Sequence, residues 1–595
     1  MLLRIGSKLG AGSTTPGPAR VLLRELANSG RRPAAVGGVL ALVGVRLWLV
    51  NGLAISAIGP SPHDDHLFLN LAASLISGNW LGPYNQLTLA KGPFYPMWIA
   101  ASFGLGVPLL FSVHLLYVIA CALFARALAP ALPTRSVQLV LFALLLFCPA
   151  SFADGPMSGV LRESVYSSLS LIAIGSAFAL ALRIDRPLRS NLAWILTFGT
   201  SLAAFWLCRE ERIWLVPALL VGMASALVPR PRAWRSLLRA AAAALMVFAV
   251  LVGAVVVKNG WHYGAYVITE LTEGAFPRAY GALAWVQHAM PRTRVPLPSE
   301  ARRRTYWVSP RFAELAPFLE GELGRQWSEH GCAAYAICDD LAAGWMLWAL
   351  RDAAFLAGHY VDGREADRFW SLVASEVKKA CGDGRLPCRR GWSNYLPPLR
   401  REHLRPLVEA WVGGARFLLS YDQIRPHPSP SVGPEELLID FRDLTRSSLA
   451  PVELTSSPLI RQHKLAARQE GFLQWLVSAY GRLMSPLASV ALIAVAVAGA
   501  FAVYSRRMTP LLLLVGALLV AVATRLAILS LLEVTSFGGM TVRYLSPLYP
   551  MTVAFVVLAF AALGELNLAR KAGKSTVRAT GTPGIDKHDP TTDSR

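Results

Sequence analysis

Residues 59–98 read GPSPHDDHLFLNLAASLISGNWLGPYNQLTLAKGPFYPMW and lie between two long apolar runs. Within them Leu67, Phe68, Leu71, Ala72 and Leu75 recur at helical spacing behind the acid pair Asp64 and Asp65. That pattern predicts an amphipathic helix lying along a membrane surface, with carboxylates at its head. Gly78, Gly82 and Pro83 end it, and Lys91 then precedes a Gly-Pro step and an aromatic run leading back into apolar sequence. An acid pair and a lysine therefore share one short loop at a membrane border, which makes 59–98 the candidate catalytic loop.

The composition agrees with a membrane setting. Of 595 residues, 54% are hydrophobic and 16% charged, too apolar for an ordinary soluble chain, so the expected fold class is an α-helical polytopic membrane protein. The net charge of +21 comes mostly from arginines between apolar runs, where orientation needs them, and this argues against a nucleic-acid partner. Of seven cysteines, Cys121, Cys148 and Cys208 fall in or beside apolar runs and read as buried small hydrophobes. Cys332, Cys338, Cys381 and Cys388 fall in the one large polar region, an even set that suits up to two disulfides of undetermined pairing.

About ten spans are expected, at residues 34–58, 107–129, 137–152, 159–182, 192–208, 213–228, 240–257, 484–504, 509–532 and 540–563, each judged against a core about 30 Å thick. The run 94–103 is too short to cross and reads as interfacial or re-entrant. The basic, Gly/Ser/Pro-rich tail before the first span, with Arg4, Lys8, Arg20, Arg24, Arg31 and Arg32, does not read as a cleavable signal and belongs inside by the positive-inside rule. Arg126 and Arg135, Arg183 to Arg189, Arg230 to Arg239, Arg506 and Arg507, and Arg570, Lys571 and Lys574 follow the same alternation. The expected organisation is a cytoplasmic tail at 1–33, spans one to seven at 34–257, a large mixed but mostly helical extracytoplasmic domain at 258–473, spans eight to ten at 474–565, and a disordered cytoplasmic tail at 566–595. Helical patterns in the outer domain centre on 311–327 and 338–355. The absence of an internal repeat weighs modestly against transporters built from duplicated halves.

With this topology the unusual charges gather on one membrane face: Asp64, Asp65, Lys91, Asp154, Arg162, Glu163, the turn Arg209-Glu210-Glu211-Arg212, Lys258, Glu533 and Arg543. Charges at span ends are costly and face cavities, which predicts a polar site there. A lipid-borne phosphosugar suits it, with Arg and Lys on the phosphate and a carboxylate deprotonating an acceptor hydroxyl.

The residues Asp64-Asp65, Phe68, Ala72 and Ser77-Gly78-Asn79-Trp80, the stretch Lys91-Gly92-Pro93 through Tyr95-Pro96, and Arg543-Tyr544 with Pro547 and Pro550 together resemble the GT-C superfamily of membrane glycosyltransferases, such as protein O-mannosyltransferases and lipid A aminoarabinose transferases. The likeness covers roughly the first 180 residues and the last span; the outer domain carries no motif of that family. It implies inverting transfer from a polyprenyl-phosphate sugar to a lipid, glycan or protein acceptor at the outer face of a bacterial inner membrane. Asp64 takes the position of the catalytic acid, beside Asp65. Lys91, Arg543 and Tyr544 are placed at the donor phosphate, and Asp154 or Glu163 as the second-loop acid. His63 and His66 depart from the usual flanking residues, and Phe68 stands where a tyrosine is usual. With Asp65 the two histidines form a candidate set for a divalent cation, Mg²⁺ or Mn²⁺, and metal dependence stays open.

Simpler roles compete for each residue: a helix cap for Asp64, snorkelling for Lys91, a helix-end anchor for Arg543, internal pairing within Arg209 to Arg212, and a solvated basic face at Arg292, Arg294 and Arg302 to Arg304. A transporter or flippase of a lipid-linked or anionic solute, or a glycan ligase or polymerase, are the competing functions.

Overall fold

The computed structural model of the protein describes residues 36–288, 294–391, 394–396, 398–450, 467–505 and 508–579, with side chains as far as 565. The arginines and lysine of 1–33, Arg292, Arg506 and Arg507, and the tail from 580 lie outside the described residues, as do the side chains of Arg570, Lys571 and Lys574. Two compact units are distinguished, Met1–Leu49 and Val50–Arg595. The first is described from residue 36, where the apolar helix Val36–Asn51 begins.

In the second unit, seven helices are long and apolar enough to cross a membrane: Leu109–Leu128, Glu163–Leu182, Leu188–Cys208, Pro231–Tyr263, Arg468–Tyr504, Pro510–Thr535 and Leu548–Glu565. The chain is a polytopic helical membrane protein. The other three expected spans are shorter apolar helices, Val36–Asn51, Arg135–Leu146 and Arg212–Ala224. Proline explains two of these differences. Pro149 opens a 3₁₀ turn, Pro149–Phe152, that ends the third run early, and Pro217 restricts the sixth helix to a start at Val216 after the 3₁₀ turn Arg212–Leu215. Pro547 likewise splits the last run, so that a four-residue helix, Val542–Leu545, precedes Leu548–Ala579. That last helix continues past 565, where the sequence reading begins a disordered tail.

Glu163–Leu182 is the central helix, with 94% of its apolar window buried. Its small residues allow this: Gly175 meets the Phe124 ring, and Ser170 and Ser176 donate to carbonyls of their own preceding turn, which satisfies those two hydroxyls inside the packed bundle. Leu109–Leu128 and Leu192–Cys208 pack on either side. Pro231–Tyr263 exposes most of its apolar surface, as a rim helix against lipid does.

The expected helix after Asp64 forms as Asp65–Ile76 and buries Leu67, Phe68, Leu71 and Ala72. The segment before it is clamped by backbone hydrogen bonds, Ile55 to Ser448 (2.8 Å), Ser56 to Ser158 (3.0 Å) and Gly59 to Val432 (2.9 Å). Three separate parts of the chain therefore fix where the acid pair enters.

Between Tyr263 and Arg468 the expected mostly helical region forms. Among the described residues this region contains helices and isolated bridges but no strand, because its apolar positions follow helical periodicity throughout. Phe276, Leu283, Trp327, Val373 and Trp370 lie in its core. The cysteine pairing left open by spacing is Cys332–Cys338 and Cys381–Cys388, each closing a tight loop at the end of a helix.

Gly92, next to Lys91, packs so closely on the chain end of Leu192–Cys208 that a Cβ would overlap the Leu207 carbonyl. Gly92→Ala is expected to cost about 1–3 kcal/mol of stability, read as a lowered thermal midpoint in detergent. Gly104→Ala, in open space, is the control expected to change little.

Candidate functional site

Asp64 occupies the N-cap position of Asp65–Ile76, yet its carboxylate makes no capping hydrogen bond. It faces two cations instead. Lys91 donates to Oδ1, and Arg543 reaches Oδ2 from Nη1 at 3.2 Å and Oδ1 from Nη2 at 3.1 Å. Lys91 does not snorkel. Its side chain is 7% exposed, with the ammonium 5.2 Å from the Phe68 ring centroid and 5.7 Å from that of Trp348.

Arg543 ties this pair to a second acid, its Nε donating to Glu163 Oε1 at 3.0 Å. Glu163 is fully buried at the head of the central helix and also accepts from Arg209. Arg209 forks onto Glu211 (2.9 and 3.0 Å), and its guanidinium lies 4.9 Å from the Tyr544 ring centroid. Arg162 pairs with Glu210 at 2.6 Å and Arg212 with Glu273 at 2.9 Å. The turn 209–212 thus pairs internally at one position only, and its other charges reach outward. Alternating signs answer the cost of taking so many ions out of water.

Two carboxylate oxygens of the cluster, Asp65 Oδ1 and Glu163 Oε2, are buried without a partner among the described residues. Burial opposes the charged form of Asp64, but Lys91 and Arg543 outweigh it and hold the carboxyl well below the usual carboxylate range. Burial and the adjacent Asp64 charge push Asp65 up to about 7. Desolvation lowers Lys91 against the pull of Asp64. Two neighbouring carboxyl groups are thereby driven in opposite directions, as acid and base partners in enzyme sites are.

The remaining sequence candidates separate. Of the two second-loop acids, Glu163 joins the cluster. Asp154 does not: its carboxylate accepts from Ser158 and Ser429, and its backbone N–H donates to the Arg425 carbonyl (2.7 Å), so it fastens the segment near 425–431. Tyr544 lines the cluster by its ring, and its carbonyl accepts from buried Arg525 at 3.1 Å. His63 turns its ring between Trp327 (5.1 Å) and Trp348 (4.5 Å), burial pushes it down to about 4, and Asp65 turns to the Val160 backbone. Among the described residues no group of three or more His, Cys, Asp or Glu side chains is placed to hold a metal ion, and metal dependence is left open. The expected basic face is also paired: Arg302 with Glu320 and Asp340, Arg304 with Glu300, and Arg294 with Glu533.

Sequence reading missed the side of the site supplied by the region between Tyr263 and Arg468. The helix Ala343–Leu356 brings Trp348 against His63 and Lys91, and one turn on brings fully buried Arg351, which donates to the Gln86 carbonyl (2.7 Å) and Glu270 (2.8 Å). A lone arginine in the apolar run Trp345-Met346-Leu347-Trp348-Ala349-Leu350 was the available signal.

No family model and no curated protein matches the chain. Among solved structures, two of ArnT from Cupriavidus metallidurans are similar to it. The apo form matches at a TM-score of 0.31 and 15% identity, over 88% of this chain and 78% of that one. The form bound to undecaprenyl phosphate matches at 0.31 and 14%, over the same shares.

Asp65 gives a pH prediction. Its folded value, about 7, lies above the ordinary value of 3.8, so between those limits the folded state holds a proton that the unfolded state has lost. Stability from this group is full below about pH 4 and declines as pH rises to 7, by about 1 kcal/mol per pH unit or less. Thermal midpoints from pH 4 to 8 should therefore fall less steeply for Asp65→Asn than for the natural protein; parallel curves would remove the shift.

Proposed function

We propose that the protein is a membrane glycosyltransferase of the GT-C kind, taking a sugar from a polyprenyl-phosphate donor to a lipid, glycan or protein hydroxyl. The carrying observation is the Asp64 carboxylate held jointly by Lys91 and Arg543, which are 27 and 479 residues away in sequence. The sequence motifs of the first loop and of Arg543-Tyr544 support the same reading. The proposed setting is the plasma membrane of a bacterial envelope, with both chain ends on the cytoplasmic side and the region after Tyr263 outside.

Without a donor, the two cations and the carboxylate neutralise one another. A donor phosphate competes for both cations, since a fork of N–H donors and an ammonium bind a phosphate better than one carboxylate can. Relieved of them, Asp64 becomes a stronger base. The acceptor hydroxyl passes its proton to Asp64 as its oxygen attacks the anomeric carbon opposite the phosphate. The anomeric C–O bond to phosphate breaks, configuration inverts in this single displacement, and the polyprenyl phosphate leaves with its new charge on Lys91 and Arg543. Glu163 and Arg209 act one step back by holding the Arg543 guanidinium in place. No step is assigned to a metal ion.

Transfer from a labelled polyprenyl-phosphate sugar in membranes, normalised to folded protein, provides the test. Asp64→Asn is expected to lose at least about 100-fold in rate. Arg543→Lys, which keeps the charge and loses the fork, is expected to lose roughly tenfold, chiefly through donor KM. Undiminished transfer by Asp64→Asn would remove the proposed base, and a protein that moves an intact solute without consuming the donor would be a transporter instead.

A further inference from the structure

A cavity of about 640 Å³ opens between the segment 264–276 and the start of the helix Gly363–Gly382, separate from the Asp64 cluster. Close backbone packing shapes it. Gly264 and Gly274 both have positive φ, and a Cβ on them would meet Arg364 and Asp367, while one on Gly363 would meet the Tyr263 carbonyl. The walls carry three acids, each already engaged. Glu270 binds Arg351 and Tyr84, Glu273 binds Arg212 and the Ile268 N–H, and Asp367 accepts from the Ala275 N–H.

Two lining arginines are not. Arg364 and Arg368 stand at i and i+4 on one helix face, and neither guanidinium has an ion pair or hydrogen bond among the described residues. Trp370 forms apolar wall beside them. The position relative to lipid follows from the chain. The membrane-crossing helix Pro231–Tyr263 ends at the left-handed cap Gly264, the first residue of the cavity wall. Trp261 and Tyr266 flank that end at 76% and 61% exposed, the placement aromatic residues take at a membrane–water interface.

We infer that this cavity binds the headgroup phosphate of an anionic phospholipid, with Arg364 and Arg368 holding the phosphate. The charge is surplus, the helix spacing lets both guanidinium groups reach one phosphate, and the site lies at headgroup level, where such lipids are abundant and cationic pockets collect them. A free phosphate would meet the same two groups but would gain nothing from the interfacial position.

Binding alone tests this, independently of transfer activity. The full chain, purified in detergent, is titrated calorimetrically with dihexanoylphosphatidylglycerol, dihexanoylphosphatidylcholine and inorganic phosphate. Saturable binding of the phosphatidylglycerol is expected, weakened about tenfold or more by Arg364→Gln/Arg368→Gln. Arg303→Gln/Arg304→Gln, outside the cavity lining, should bind as the natural protein does. Unchanged affinity in the Arg364/Arg368 variant, or equal binding of phosphatidylcholine, overturns the proposal. Inorganic phosphate binding as tightly as the lipid overturns the lipid assignment.

Discussion

Everything around the candidate site depends on keeping the Asp64 carboxylate paired with Lys91 and Arg543 after all three have lost most of their water. Lys91 has 7% of its side chain exposed, and Arg543 and Asp64 have 28% and 27%. Burying such ions costs several kcal/mol each and is recovered only where partners and hydrogen bonds are complete. Pairing is therefore relayed outward through Arg543, Glu163, Arg209 and Glu211, so that each charge meets one of opposite sign. Removing one member strands the next, which makes the cluster a cooperative unit and not a set of separable bridges.

That relay dictates the scaffold. Its members come from the first loop, the head of the central helix, the turn after Leu192–Cys208 and the short helix Val542–Leu545, and each must arrive within hydrogen-bond reach of the others. A fully buried central helix provides the fixed reference, and proline breaks on both sides of it let chain segments turn at the level of the charges. The helix Ala343–Leu356 closes the arrangement from the other side. Trp348 shields the Lys91 ammonium, and Arg351 holds the Gln86 carbonyl, four residues before the loop reaches Ala90 and Lys91. Low dielectric around Lys91 and Asp64 strengthens their attraction, so the apolar wall contributes as much to the site as the ions do.

The legible part of this architecture is the part written in local periodicity. Apolar runs marked the helices, proline and glycine marked their ends, the loop pattern singled out Asp64 and Lys91, and a separate motif at the start of the last span singled out Arg543. Convergence across hundreds of residues is not local. Nothing in the chain around Asp154 distinguishes it from Glu163, although one fastens a distant loop and the other joins the cluster. His63 beside two acids suggested a metal ligand, and its ring contacts with Trp327 and Trp348, hundreds of residues on, could not be read from that adjacency. Trp348 and Arg351 lay in a region without a motif, where only the cost of an arginine in an apolar helix could have drawn notice.

The two unpartnered oxygens sharpen what the cluster is built to do. Asp65 Oδ1 and Glu163 Oε2 are both buried beside Asp64 without a partner among the described residues, which leaves each carboxyl group costly to hold as an anion. Asp65 meets that condition by keeping a proton near neutral pH, which turns an anion beside Asp64 into a neutral group and halves the negative charge at the head of the helix. The cations then exceed what Asp64 alone can neutralise as soon as an incoming anion draws them away from it. A site in this balance exchanges one anionic partner for another at small electrostatic cost, because Lys91 and Arg543 never have to pass through an unpaired state. On the proposed function, preorganised cations and a carboxylate released only when a donor phosphate replaces it would amount to a base that is strong only in the presence of substrate.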